Sequence, residues 1–133
     1  MSQYNDWGVE YSTIIFFENA LSSNKKVESF KREDDVLFRI KRSDGLSDIN
    51  MLLVDIYTVG ISDVMRAMSE FPDVDCIVTC ANWNGYTPDA KKYGQENDVG
   101  VFVAGEFFGA LWWTNPVKYV KKDKDGAPQY HYK

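Results

Sequence analysis

Val74 to Trp113, VDCIVTCANWNGYTPDAKKYGQENDVGVFVAGEFFGALWW, is the stretch that most limits what this chain can fold into. An apolar run at Cys76–Val78 ends in the turn chemistry of Asn82–Gly85. Thr87-Pro88 then supplies a hydroxyl N-cap followed by proline at the first helical position. A second apolar run, Val99–Val103, returns a few residues after that helix and leads into a further helix. Strand, turn, short helix and strand make a βαβ unit, and strands joined in that way run parallel in one sheet.

The residues upstream supply the rest of the sheet. Val9, Ile14, Phe17 and Leu21, with Phe16 and Ala20 beside them, predict a helix with a broad apolar face. The β-branched residues within Ser12–Ile15 weaken that pattern. Lys26–Lys31 alternates as a short exposed strand, and Glu33-Asp34-Asp35 reads as a turn. From Val36 to Arg42 the apolar Val36, Phe38 and Ile40 face away from Leu37, Arg39 and Lys41, the signature of a half-buried strand. Ser43-Asp44-Gly45 turns the chain into a more hydrophobic strand over Ile49–Val59, which predicts an antiparallel hairpin. A helix over Val64–Phe71, capped by Ser62 or Asp63 and closed by Pro72-Asp73, leads into the stretch described first. The order α-β-β-β-α-β-α-β-α predicts an α/β fold, a mixed central sheet flanked by helices. A single domain of 133 residues is expected: an N-terminal helix and lead-in strand over 1–35, a core over 36–113, and a tail or hairpin over 114–133.

Composition narrows the partners. A chain with 44% hydrophobic and 15% aromatic residues is not a disordered tail, and it holds no run of eighteen apolar residues that would suggest a membrane span. The start lacks the basic region and apolar core of a signal peptide, and Cys76 and Cys80 read as reduced core thiols, so a cytoplasmic protein is expected. The net charge of −5 argues against gripping DNA by general phosphate neutralisation. Any such contact would need a local patch: Lys25-Lys26 with Lys31-Arg32, or Lys118, Lys121, Lys122 and Lys124, each of which also reads as solvated surface charge.

The segment GYTPDAKKYGQENDVGVFVAGEFFGAL resembles the later half of the restriction-endonuclease-like family, in its Mrr-like branch. Gly85-Tyr86-Thr87, Ala90 with Tyr93, Val99–Val103 and Gly105-Glu106-Phe107 carry the resemblance, which extends over roughly residues 36–112. It implies a PD-(D/E)xK nuclease core, in which two carboxylates hold Mg²⁺ or Mn²⁺ and a lysine two residues after the second polarises water. The matching positions are Asp48 and Asp55 for the carboxylates, with Tyr57 where the lysine belongs. A neutral tyrosine cannot supply the positive charge that the phosphoryl transition state needs. Lys41 on the paired strand is the candidate substitute, or else a solvated strand lysine.

Each carboxylate has a plainer alternative. Asp48 also suits the end of a hairpin turn, whereas Asp55 interrupts an apolar run and must face solvent, pair with a cation or bind metal. Glu10 is either the early-helix carboxylate or a surface residue, and His131 has no partner for a general-base role. Trp83 and Tyr86 follow a strand end, where binding loops gather, and could serve a base or a protein partner; Trp83 could equally cap the core. The helix through Phe107, Phe108, Leu111, Trp112 and Trp113 is too apolar for one buried face, which suggests a homodimer. Two functions follow. One is a non-catalytic DNA- or protein-binding relative with a degenerate site; the other is a metal-dependent DNA endonuclease with a relocated lysine.

Overall fold

The computed structural model describes residues 5–133. Its centre is a five-stranded sheet in the order β1 (Val27–Glu33), β2 (Leu37–Arg42), β3 (Ile49–Val54), β5 (Cys76–Thr79), β7 (Gly100–Val103). β1–β2–β3 are antiparallel and β3–β5–β7 parallel, so the sheet is mixed and the fold is α/β. The parallel strands CIVT and GVFV are buried along their whole length, as expected for strands covered on both faces.

Helices α1 (Tyr11–Ser22), α2 (Ile61–Glu70), α3 (Pro88–Glu96) and α4 (Ala104–Ala110) flank the sheet. Phe17 of α1 stacks on Phe108 of α4 with ring centroids 5.6 Å apart, and α2 packs on α3. At Gly94 of α3 a Cβ would lie 2.5 Å from the Val99 carbonyl oxygen, so glycine is what lets the helix lie against the approach to β7. The cap at Thr87 forms as its sequence requires, with Oγ1 accepting from Ala90 N at 3.0 Å.

Two local expectations change. The α2 cap is Gly60, not Ser62 or Asp63; Asp63 sits in the first turn and its Oδ2 accepts from Gly60 N at 2.9 Å. The strand expected over Ile49–Val59 stops at Val54. The chain leaves the main sheet through Asp55-Ile56-Tyr57 and forms a short strand, β4 (Thr58–Val59), which pairs in parallel with β6 (Gly85–Tyr86) in a separate ribbon. The tail makes an antiparallel bridge from Lys122 to Pro128 and adds Tyr132 in parallel beside Tyr86.

Candidate functional site

The C-terminal ends of the three parallel strands open on one side into a groove of about 620 Å³, closed on its other side by the start of α1. Asp55 enters it from the end of β3, Cys80 and Trp83 from the end of β5, Phe108 from α4, and Glu10 and Phe16 from α1. Carboxyl ends of parallel strands are where open α/β sheets place ligands, because loops there are free of the sheet's own hydrogen bonding.

Asp55 is hydrogen-bonded through both its backbone and its side chain although it is exposed. Its amide donates to the Trp7 carbonyl at 3.0 Å, and its Oδ1 accepts from Asn84 Nδ2 at 2.8 Å. Asn84 also donates to Thr79 Oγ1 at 3.0 Å. Thr79 in turn donates to the Ile56 carbonyl at 2.8 Å and accepts from Ile56 N at 3.1 Å. One threonine and one asparagine therefore tie the loop after β3 to the loop after β5. Cys80 lies beside this carboxylate, and burial, with the Asp55 charge second, pushes its thiol up to about 12. It is a neutral group at physiological pH, not a thiolate nucleophile.

Two aromatic side chains stand in the groove with most of their surface in water, Trp83 at 69% and Phe16 at 60%. Glu10 and Asp55 bring carboxylates to the lining, and among the described residues no lysine, arginine or histidine lines it. Its chemistry is acidic and aromatic.

The expected metal centre does not assemble. Asp48 precedes β3 and Asp55 follows it, so a six-residue strand separates them by roughly 20 Å at the usual rise of an extended chain. They line different cavities, Asp48 beside Asp75 and Asp98. Lys41 belongs to the Asp48 end, since Ile40 pairs with Ile49, and its Nζ lies 3.7 Å from Glu28 on the exposed β1 edge. One ion cannot reach both carboxylates, and Lys41 cannot reach a phosphate held at Asp55. Among the described residues no three His, Cys, Asp or Glu side chains converge on a metal position. Mg²⁺ and Mn²⁺ do not fit this donor set.

Tyr57 and Tyr86 also differ from expectation. Tyr57 is exposed beyond the strand, with Lys133 Nζ 4.9 Å from its ring centre. Tyr86 is wholly buried, its hydroxyl donating to Glu106 with oxygen distances of 2.8 and 3.0 Å, and it takes no part in the groove. Burial pushes its phenol well above its ordinary value; the hydrogen bond from the His131 amide opposes that rise and Glu106 adds to it. Lys91 completes this interior cluster, its Nζ donating to the Val101 carbonyl at 2.6 Å.

Of the groove residues, Asp55 and Trp83 are legible in sequence, as an acid inside an apolar run and a tryptophan in a post-strand turn. Phe16 reads there as one more apolar helix position, and Cys80 as a core thiol. Asn84 and Thr79 carry no signal at all before the two loops are seen side by side. Comparison with family models, with curated proteins and with solved structures returned no match to this chain.

Proposed function

We propose that the chain is a non-catalytic, protein-binding relative of the restriction-endonuclease-like domains, and that its groove takes a basic segment of a partner protein. The observation that carries this is the lining of the groove: the Asp55 carboxylate beside two exposed aromatic faces, Phe16 and Trp83, with no lysine, arginine or histidine among the described residues that line it. A phosphate backbone would meet the like charge of Asp55 there, whereas a lysine or arginine side chain would meet that carboxylate for its charge and ring faces for cation–π contact. The first basic stretch does not offset this, because Lys26 is paired with Asp44 at 2.8 Å and Arg32 with Glu18 and Asp35. Separation of Asp48 from Asp55 removes the support for the endonuclease alternative.

Two labelled probes test the reading, an oligo-arginine peptide and a single-stranded oligonucleotide of equal length, each titrated by fluorescence anisotropy. The peptide is expected to bind, with affinity that falls as salt rises and falls at least tenfold in Trp83→Ala, while the oligonucleotide does not bind. Peptide binding that ignores Trp83→Ala would place the contact elsewhere on the acidic surface and defeat the assignment. DNA cleavage in Mg²⁺ or Mn²⁺, abolished by Asp55→Ala, would restore the enzyme.

A further inference from the structure

A second binding feature lies outside the groove, on the ribbon made by β4 and β6. Successive amides of a strand point to opposite edges, and β6 divides its hydrogen bonds accordingly. Gly85 N and Thr87 N donate to the Tyr57 and Val59 carbonyls on the β4 side, at 2.8 and 3.0 Å. Tyr86 presents its backbone to the other edge. There the end of the chain lies alongside it: Tyr86 N donates to the His131 carbonyl at 3.0 Å, and Lys133 N donates to the Tyr86 carbonyl at 2.9 Å. A third bond runs from His131 N to the Tyr86 hydroxyl at 3.2 Å.

The edge is shaped for an extended chain. At Gly85 a Cβ would run into the His131 carbonyl oxygen and come within 2.6 Å of Lys133 Cγ, so only glycine admits a backbone this close. Tyr130 and Tyr132 sit two residues apart and therefore share a face, stacked with centroids 4.8 Å apart, and Tyr132 meets the Tyr86 ring edge-on at 5.7 Å. Lys133 reaches the other way and lies over the exposed ring of Tyr57. Yet the occupant is only partly covered, with Tyr130 41% exposed. Residues 124–130 are all exposed, and Tyr132 itself is still 45% exposed.

We propose that the outer edge of β6 is a strand-addition site for an extended peptide of a partner protein with the chemistry aromatic–X–aromatic–Lys, and that residues 130–133 are its resident, displaceable occupant. Main-chain bonds from Tyr86 supply the grip, the Tyr86 ring selects the aromatic, and the Tyr57 ring selects the cation, which is how strand addition divides affinity from specificity. The resident segment competes at an effective concentration on the order of millimolar, so the site is closed to weak ligands and open to good ones.

The probe is a labelled peptide of residues 127–133, APQYHYK. It is added to the wild-type chain and to full-length Lys133→Pro, which removes the amide that donates to Tyr86. The expected result is at least tenfold tighter binding to Lys133→Pro than to wild type, and no binding by the same peptide ending in proline. Hydrogen exchange at the Tyr86 amide gives a second readout that needs no affinity: it should quicken at least tenfold in Lys133→Pro and slow again when the peptide is added. Equal binding to both chains, binding by the proline-ended peptide, or a Tyr86 amide indifferent to the substitution would each overturn the proposal. None of these outcomes depends on what the groove binds.

Discussion

Lys91 gives the interior of this molecule a pH dependence that can be measured. Its amine is buried on α3, donates to the Val101 carbonyl, and lies 4.0 Å from the Phe102 ring centre and 5.0 Å from that of Tyr86. Burial pulls the amine down from 10.5 to about 8, and Glu106 restores only part of the loss. The folded chain thus carries a desolvated cation at a cost below pH 8, and that cost is relieved as pH rises from about 8 to 10.5, where the unfolded chain binds more protons than the folded one. The displacement corresponds to about 3 kcal/mol in all, of which about 2 kcal/mol falls between pH 7 and 9.5. The thiols of Cys76 and Cys80, held up to about 12 by burial, act in the opposite sense, since the unfolded thiols lose their protons first from about pH 9. Urea unfolding of wild type and of Lys91→Met, followed by tryptophan fluorescence across that range, cancels the thiols in the difference. Met fills similar volume, and the Val101 carbonyl left without its donor adds an offset that does not change with pH. The difference should move by about 2 kcal/mol in favour of wild type from pH 7 to 9.5. A difference flat to within about 0.5 kcal/mol would mean that Lys91 is solvated in solution, and the argument for a desolvated amine would fail.

Two further substitutions probe the frame around the sites. Arg42 is buried at the end of β2 and donates to the carbonyls of Ser47, Leu111 and Trp113 at 2.7, 3.0 and 2.6 Å. Arg42→Ala strands those acceptors and should lower stability by about 3 kcal/mol or more, read as a shift in the urea midpoint at unchanged slope. Thr87→Ala removes the α3 cap from Ala90 N and should cost about 1 kcal/mol in the same assay, with Thr87→Ser restoring most of it.

The parts of the fold legible in the sequence are those fixed by local chemistry and periodicity. Thr87-Pro88, the alternation at Val36–Ile40 and the apolar run at Val99–Val103 each meet their element within a residue or two. A parallel strand buried on both faces is apolar throughout, so periodicity cannot say where it ends. That is why Ile49–Val59 reads as one strand. The break at Asp55 depends on Thr79 and Asn84, which lie 24 and 29 residues further along the chain and bind this loop only once β5 has paired with β3. The groove suffers the same blindness. Phe16 and Trp83 belong to elements with no sequence relation, and only the packing of α1 against the strand ends sets them across one cavity.

The same break explains why Asp55 and Tyr57 do not take up the geometry of a PD-(D/E)xK site, and what stands there instead. A carboxylate and a lysine at positions i and i+2 converge only while the backbone between them stays extended in a sheet, because alternation is what puts them on one face. Here the chain leaves the sheet at Asp55, and Tyr57 is carried off into the turn before β4. A lysine restored at position 57 would therefore not stand beside Asp55 as the motif requires. Its neighbour would be Lys133, whose Nζ already lies over that ring, and two cations there would repel. Tyrosine is the residue suited to the position as it is built, a face for Lys133 at one end of the β6 edge. The distance of Tyr57 from an Asp55-type site and its place at the edge of the ribbon follow from one structural cause, the end of β3 at Val54.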